Sequence, residues 1–321
     1  VTAAKLMVFI NNHHGKAMMC CSVHDGEGFW YSDGYPEESW LRSLTQLAER
    51  YSGNPYVVGH DLRNELRAVT SALHGTRSPM WGVGGHDYDW AAAATRAALA
   101  VAARDKDALL VIEGLNFDTD LSGLGDPRVL DLARPHLNPE LLGRVVYEAH
   151  DYSWTHAEFC VAWCLHWFCL GQILVLVLEL RRQHGDWKWR VQHFLHKLRG
   201  QRRLARLLLV ASVWTYSFWL ASYARFEQNV MERWGFLLRD GVAPLWLGEF
   251  GISAIGYVDL KKGELGKWAW YRHLSRFISE NHMDYAIWAI NGDQGGDDET
   301  FGLYDYDYAS LRHPWLVSYL H

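Results

Sequence analysis

The stretch Tyr56-Val-Val-Gly-His-Asp-Leu-Arg-Asn-Glu-Leu66 opens on a short apolar run and ends on three polar residues, Arg63, Asn64 and Glu65. The run Tyr56–Val58 is apolar on both faces and bounded by Pro55 and Gly59, the pattern of a strand buried within a parallel sheet. Upstream, Pro36 opens a helix. Trp40, Leu41, Leu44, Leu47, Ala48 and Tyr51 recur there at one-turn spacing until Gly53-Asn54-Pro55 stops them. The alternation continues on both sides. Further apolar runs lie at Leu6–Ile10, Ala108–Ile112, Arg144–Tyr147, Ala243–Leu247 and Tyr285–Ile290. Helical periodicity covers Trp90–Ala103, Tyr223–Arg239, Glu264–Glu280 and, more weakly, Ser310–Leu320.

Strand and helix in alternation predict an α/β fold, either an open doubly wound sheet or a (β/α)-barrel. No Gly-x-Gly-x-x-Gly or Gly-x-x-x-x-Gly-Lys turn follows any run, which speaks against a nucleotide-binding open sheet. Six runs correspond to six of the eight βα units of a TIM (β/α)8-type barrel, so the expected fold is an incomplete barrel. Chemistry in such barrels collects at the carboxyl ends of the strands. The polar residues just past the runs are Asn12-His13-His14, Arg63-Asn64-Glu65, Glu113, His150-Asp151-Tyr152, Glu249, and Trp288 with Asn291. Glu65 and Glu249 end different strands and can face each other across the barrel mouth. Paired carboxylates suit glycoside hydrolysis, in which one protonates the leaving oxygen while the other attacks or activates water. Aromatic residues, 14% of the chain, offer flat surfaces on which sugar rings stack.

The motifs Tyr56–Leu66, His150-Asp-Tyr152, Leu247-Gly-Glu-Phe-Gly251 and Ile287-Trp-Ala289 resemble the signatures of glycoside hydrolase family 5, the cellulase family. Cys20-Cys21-Ser22, Asp25-Gly-Glu-Gly-Phe-Trp30 and Gly114-Leu-Asn-Phe-Asp-Thr-Asp120 are similar to its plant members. The likeness covers 5–155 and 223–320 and starts at what resembles the family's third strand. The first two strand–helix units, and the second-strand Arg that hydrogen-bonds the nucleophile, have no counterpart in it. The resemblance implies barrel strands 3 to 8 in residues 1–159 and 221–321. It also implies a retaining enzyme acting on β-linked polysaccharide of glucan or mannan type, working without a cofactor or metal and secreted from the cell. Glu65 would then be the general acid/base and Glu249 the nucleophile. Asn64 would bind the sugar 2-hydroxyl and Tyr152 the nucleophile's carboxylate. His150 would position the acid/base or the sugar, and His13 and Trp288 would line the bound sugar. Glu113, where the family has a small residue, reads as a salt-bridged or solvated strand-end carboxylate, or as a third acid modulating the pair.

The composition holds a second kind of sequence. The chain has 321 residues, 31 basic against 37 acidic, and its net charge of -6 gives no reason to expect a nucleic-acid partner. Segment 160–220 carries nine basic and two acidic residues, a net +7, which leaves 22 basic and 35 acidic residues, a net -13, elsewhere. This segment contains none of the 8 prolines but six of the 17 tryptophans. Cys160–Leu178 is uncharged and close to membrane-span length, Leu204–Leu220 nearly so, and the basic stretch between them would face the cytoplasm. Three readings stand: translated non-coding sequence, such as a retained intron; a hydrophobic hairpin that makes a membrane a partner; or a soluble amphipathic insertion. His13, His14, Cys20, Cys21 and His24 fit no common zinc spacing, and Asp293, Asp297, Asp298 and Glu299 lack a calcium-loop pattern. A loop disulfide or plain thiols, and a solvated loop, are the expectations there. A non-catalytic carbohydrate-binding remnant of the same family is the rival to an active enzyme. Trp30, Trp40, Trp81 and Trp154 are candidate sugar platforms.

Overall fold

Five strands, β1 (Val8–Asn11), β2 (Val57–Asp61), β5 (Leu109–Glu113), β6 (Val145–Asp151) and β7 (Leu245–Phe250), form one parallel sheet in the order β1-β2-β5-β6-β7. The computed structural model describes residues 2–17, 21–71, 75–83, 85–126, 129, 134–181, 188, 192, 201–252, 265–290, 301–305, 307–311 and 314–318. A small antiparallel hairpin, β3 (Val69–Ser71) with β4 (Gly75–Arg77), sits apart from the sheet. Strand order in the sheet follows chain order without reversal. A doubly wound sheet reverses at a switch point, whereas successive units of a barrel do not. The fold is an incomplete α/β barrel. The sixth run, Tyr285–Ile290, joins β7 only through one parallel bridge, Tyr285 to Leu247. Its backbone still follows β7: the Ala286 N–H donates to the Leu247 carbonyl at 2.8 Å and the Trp288 N–H to the Phe250 carbonyl at 2.8 Å.

Two helices of the alternating pattern fix the carboxyl ends of neighbouring strands. In α1 (Glu37–Tyr51), Trp40, Leu44 and Ala48 are buried, one residue per turn. The Trp40 indole N–H donates to the Leu62 carbonyl at 2.8 Å, just beyond β2. In α2 (Trp90–Ala102) the Asp89 side chain caps the first turn by accepting the Ala92 N–H. Its face of small residues, Ala91, Ala93, Ala94, Ala97 and Ala98, is wholly buried, and the Trp90 indole donates to the Glu113 carbonyl at 2.8 Å at the end of β5. Between β5 and β6 the described residues hold only single 3-10 turns, Ser122–Gly125 and Pro135–Leu137.

The chain divides into two compact units. The sheet belongs to the first, Val1–Asp151 with Val230–Phe250 and Asn281–Trp288; the second comprises Tyr152–Asn229, Gly251–Glu280 and Ala289–His321. Within the second, α3 (Ala157–Arg181) and α4 (Gln201–Leu220) pair: the Cys169 thiol reaches the Val210 carbonyl at 3.6 Å, and the His166 ring packs against Trp214 and Phe218. These contacts advance in opposite directions along the two helices, so the pair is antiparallel. Outside that seam α3 exposes Trp167, Phe168 and Leu174, and α4 exposes Leu208, Leu209 and Trp219. The expected helix 223–239 is formed, with one π turn inside it. α5 (Tyr223–Val230) is followed by a π turn, Met231–Gly235, and a short helix, Phe236–Arg239, which together bury Trp234, Phe236 and Leu237. α6 (Leu265–Glu280) buries Trp270, Leu274 and Phe277 on one face. Of the expected 310–320 helix, Pro314–Val317 is formed. Asn291, the acidic run 293–299, Met18–Cys20 and nearly all of the basic linker lie outside the described residues.

Two glycines make opposite demands on a methyl group. A Cβ on Gly248 in β7 would run into the Glu148 carboxylate, while one on Gly171 in α3 would meet nothing within 4 Å. Gly248→Ala should lower unfolding free energy by about 1–3 kcal/mol through overpacking, and Gly171→Ala should raise it by about 0.5–1 kcal/mol by helix propensity. Urea melts of the two variants read both signs.

Candidate active site

The strands run further than their apolar cores. β2 extends through His60 and Asp61, β5 through Glu113, β6 through Glu148, His150 and Asp151, and β7 through Glu249, so these polar residues stand in the sheet rather than in the loops beyond it. Strand register then decides who meets whom. Asp61 lies beside Val111, Glu113 beside Glu148, and His150 beside Glu249. Glu148 and His150 are two residues apart on β6 and project from the same face.

Glu65 follows β2 in a conformation most side chains avoid, with φ of 46°. A residue in this left-handed region costs on the order of 1–2 kcal/mol and persists only where its surroundings dictate it. Here both sides of its backbone are held. Its N–H donates to Glu113 Oε2 at 2.6 Å, and its carbonyl accepts Arg67 Nη1 at 2.8 Å. Arg67 is itself buried and anchored by Asp25 at 2.5 Å and by the Ser22 carbonyl at 3.2 Å. The Glu65 carboxylate is thereby aimed at β6: His150 Nδ1 lies 3.1 Å from Glu65 Oε1 and 3.6 Å from Glu249 Oε2. One oxygen of each glutamate and the imidazole nitrogen all fall within 4.8 Å of one another. Both glutamate side chains keep a window to solvent, 13% for Glu65 and 14% for Glu249, whereas His150 is 1% exposed.

Beneath this pair lies a buried layer of acids: Asp61, Glu113, Asp118 and Glu148. Asp118 is brought there by Asn116, Phe117 and Asp118 in succession, with φ of 55°, 61° and 54°, a left-handed turn bonded to the site through the His150 N–H to the Asp118 carbonyl at 2.8 Å. Burial pushes Asp61 up to about 8, with the Glu148 charge adding to it and hydrogen bonds from Glu113 and Asn11 opposing it. Glu113 and Asp118 are likewise held well above the carboxylate range, first by burial and then by neighbouring carboxylates, Asp61 and Asp118 for Glu113 and Glu148 and Asp61 for Asp118, with the His150 charge opposing both. Burial alone would keep His150 neutral, but the carboxylates of Glu249, Glu113 and Asp118 outweigh it and hold the ring protonated well above its usual value. His13 goes the other way: burial first, then the neighbouring His14, lower it to about 4.

The other expected residues are placed as follows. The His13 ring stacks on Trp288 at 5.6 Å and 5°, and its Nδ1 pairs with Asn11 Oδ1 at 2.9 Å. Asn64 is buried, with its backbone N–H on the Asn12 carbonyl and its Nδ2 3.9 Å from Cys21 Sγ. Cys21 is disulfide-bonded, so its sulfur is no thiolate ligand. Tyr152 begins the second unit, buried and stacked on the exposed Trp154 at 4.3 Å. Trp30, Trp40 and Trp81 are core residues with 2%, 6% and 6% exposure, which leaves Trp154 as the one open ring among the four candidate platforms. Glu113 is neither solvated nor ion-paired with a basic side chain; it is fully buried and clamps Glu65. Sequence reasoning passed over Asp61, Asp118, Glu148 and Arg67. A usable signal was present: Glu148 and His150 share a strand face at a spacing of two.

These shifts carry definite signs. Asp61 stays protonated in the folded chain while an unfolded aspartate ionises near 3.9, so its contribution to stability is full below about pH 4 and lost as pH rises through about 8. His150, also raised, adds in the same direction, its contribution fading as pH rises through its folded value. His13, lowered to about 4, is lost as a stabilising group when pH falls from about 6.5 toward 4. Asp61→Asn should flatten the loss of stability on going to pH 8 in urea melts, and histidine NMR titration should place His13 near 4.

A family model described as cellulase (glycosyl hydrolase family 5) matches residues 1–294. A glycosyl hydrolase 5 family protein of the conifer Chamaecyparis obtusa is 25% identical over all of this chain and 45% of its own length. An endoglucanase of Paenibacillus polymyxa is 27% identical over 89% of this chain and 54% of its own length. The chain thus spans about half the length of these curated relatives. Among solved structures, the cellotetraose complex of an endocellulase from Pyrococcus horikoshii superposes with a TM-score of 0.62 at 18% identity, covering 99% of this chain and 70% of that one, a likeness of fold. Matched along nine tenths of its length by the family model, the chain belongs to glycoside hydrolase family 5, the cellulase family.

Proposed function

We propose that this chain is a retaining glycoside hydrolase that cleaves β-linked glucan or mannan-type polysaccharide through Glu65 and Glu249. The observation that carries this reading is the pair of carboxylate oxygens within 4.8 Å of each other on a shared imidazole. Retaining enzymes keep their carboxyl groups about 5–5.5 Å apart, and inverting enzymes hold them about 6.5–9.5 Å apart to admit a water. Glu65 gives its proton to the glycosidic oxygen as Glu249 attacks the anomeric carbon. The resulting glycosyl ester is then hydrolysed by a water whose proton returns to Glu65. His150, donating from Nδ1, orients both carboxylates. Asn64 binds the sugar 2-hydroxyl, and the stacked His13–Trp288 pair forms the floor of the sugar subsite. The cellotetraose bound by the Pyrococcus horikoshii endocellulase supports a β-1,4-glucan oligosaccharide as ligand. The Cys21 disulfide supports an oxidising, extracellular location.

The segment 160–220 supports a second, compatible reading as a membrane-attaching hairpin. Ala157–Val175 has a mean hydropathy of 1.5 with 19% of it buried, and large side chains cover its outer face. Contiguous exposed apolar surface of this kind marks a contact site. A cytoplasmic basic linker would leave both halves of the barrel outside, in agreement with an extracellular enzyme.

Glu65→Gln should slow hydrolysis of β-1,4-glucan by about 10²–10⁴-fold, Glu249→Gln should abolish it, and the wild-type product should emerge first as the β-anomer. If wild type and Glu249→Gln both bind glucan and neither releases sugar, the chain is a carbohydrate-binding remnant. In membranes washed with alkaline carbonate the full chain should stay with the pellet, while release into the supernatant removes the hairpin reading.

A further inference from the structure

Glu113, Asp118, Glu148 and His150 each bring one donor atom into a common volume, with all four atoms within 4.8 Å of one another and every residue buried. His150 Nε2 lies 3.4 Å from Glu148 Oε1 and 3.6 Å from Asp118 Oδ2. A tetrahedral ion with ligand bonds of about 2.0–2.2 Å has donor–donor edges of about 3.3–3.6 Å. The remaining polar atom of each residue is already engaged by the protein. Glu113 Oε2 accepts the Glu65 N–H, Asp118 Oδ1 the Gly114 N–H, Glu148 Oε2 the Trp246 indole N–H at 2.9 Å, and His150 Nδ1 faces Glu65 at 3.1 Å. The inward atoms Glu113 Oε1, Asp118 Oδ2 and His150 Nε2 have no hydrogen-bond partner. Side chains fixed through one atom so that the other converges are the usual arrangement around a bound metal, where a histidine ligand donates its far N–H to a carboxylate. Buried polar atoms left without a partner are costly, and a cation at their point of convergence would supply one.

We infer that the layer beneath the glutamate pair is a buried binding site for a divalent transition-metal ion, with zinc the best match to three carboxylate oxygens and one imidazole nitrogen. The ion takes the place of a proton on His150 Nε2. That leaves the ring's remaining proton on Nδ1, facing Glu65 and Glu249, and ties the Glu113 clamp on Glu65 to the same centre. Its role is to position the pair, and the site is defined independently of whether the chain hydrolyses sugar.

The test uses the full chain, stripped with chelator and titrated with Zn2+ by calorimetry and thermal melting. One equivalent should bind with a saturable rise in Tm, and Co2+ in its place should give the visible absorption of a tetrahedral ion. Exposed Cys164 and surface histidines are competing zinc ligands, so Asp118→Asn and Glu148→Gln decide: each should weaken binding by more than 100-fold. Trp246→Phe, which removes only the N–H that orients Glu148, should weaken it about 10–100-fold and serves if a ligand variant fails to fold. Zinc binding undiminished in folded Asp118→Asn, or no tetrahedral Co2+ spectrum and no Tm rise in the wild type, would overturn the site and leave protons alone as the neutralising charge.

Discussion

One imidazole ring holds the site together. His150 is buried between two groups of carboxylates, with Nδ1 toward Glu65 and Glu249 and Nε2 toward Glu148 and Asp118. Arg63, buried and within electrostatic reach of Glu113, is hydrogen-bonded to Glu27 and the Phe29 carbonyl, and Arg67 to Asp25 and the Ser22 carbonyl. Removing the ring would leave the buried carboxyl groups of neighbouring strands without the basic group that stands between them. The ring therefore stands among carboxyl groups carried by β5, β6 and β7 at their carboxyl ends.

The strain at Glu65 follows from the same layer. A backbone N–H pointed inward must find an acceptor, and Glu113 supplies one only because β5 carries its polar end deep into the sheet. Arg67 completes the hold from the other side. A left-handed glutamate is tolerable because two buried partners specify it. The side chain thus reaches β6 from β2 across β5, which no extended continuation of β2 would allow. Gly248 is the counterpart on β7: the Glu148 carboxylate occupies the place where its side chain would stand.

Much of this was legible in sequence. Apolar runs of about five residues between helical patterns located all five sheet strands, and the order without a nucleotide-binding turn favoured a barrel. Glu65, His150 and Glu249 were read as site residues, and they come together. What failed was the boundary between apolar run and strand. Periodicity detects where both faces are apolar, but β2, β5, β6 and β7 go on as strands with polar residues whose partners lie on neighbouring strands, distant in sequence. Asp118 was hidden for another reason: three successive left-handed residues have no signature in Asn-Phe-Asp without glycine. Indole rings misled in the opposite direction. Trp30 and Trp40 sit near loops in sequence, yet their N–H groups bond Glu37 and the Leu62 carbonyl in the core.

The central claim is that Glu65 and Glu249 form a pair with distinct roles, aimed by one ring. The most direct measurement is mass spectrometry of the full chain after incubation with a 2-deoxy-2-fluoro-cellobioside bearing an activated leaving group, which stalls a glycosyl ester before hydrolysis. The account predicts a single covalent sugar on the peptide containing Glu249. Label on Glu65, or turnover of glucan with inversion and no label at all, would contradict it.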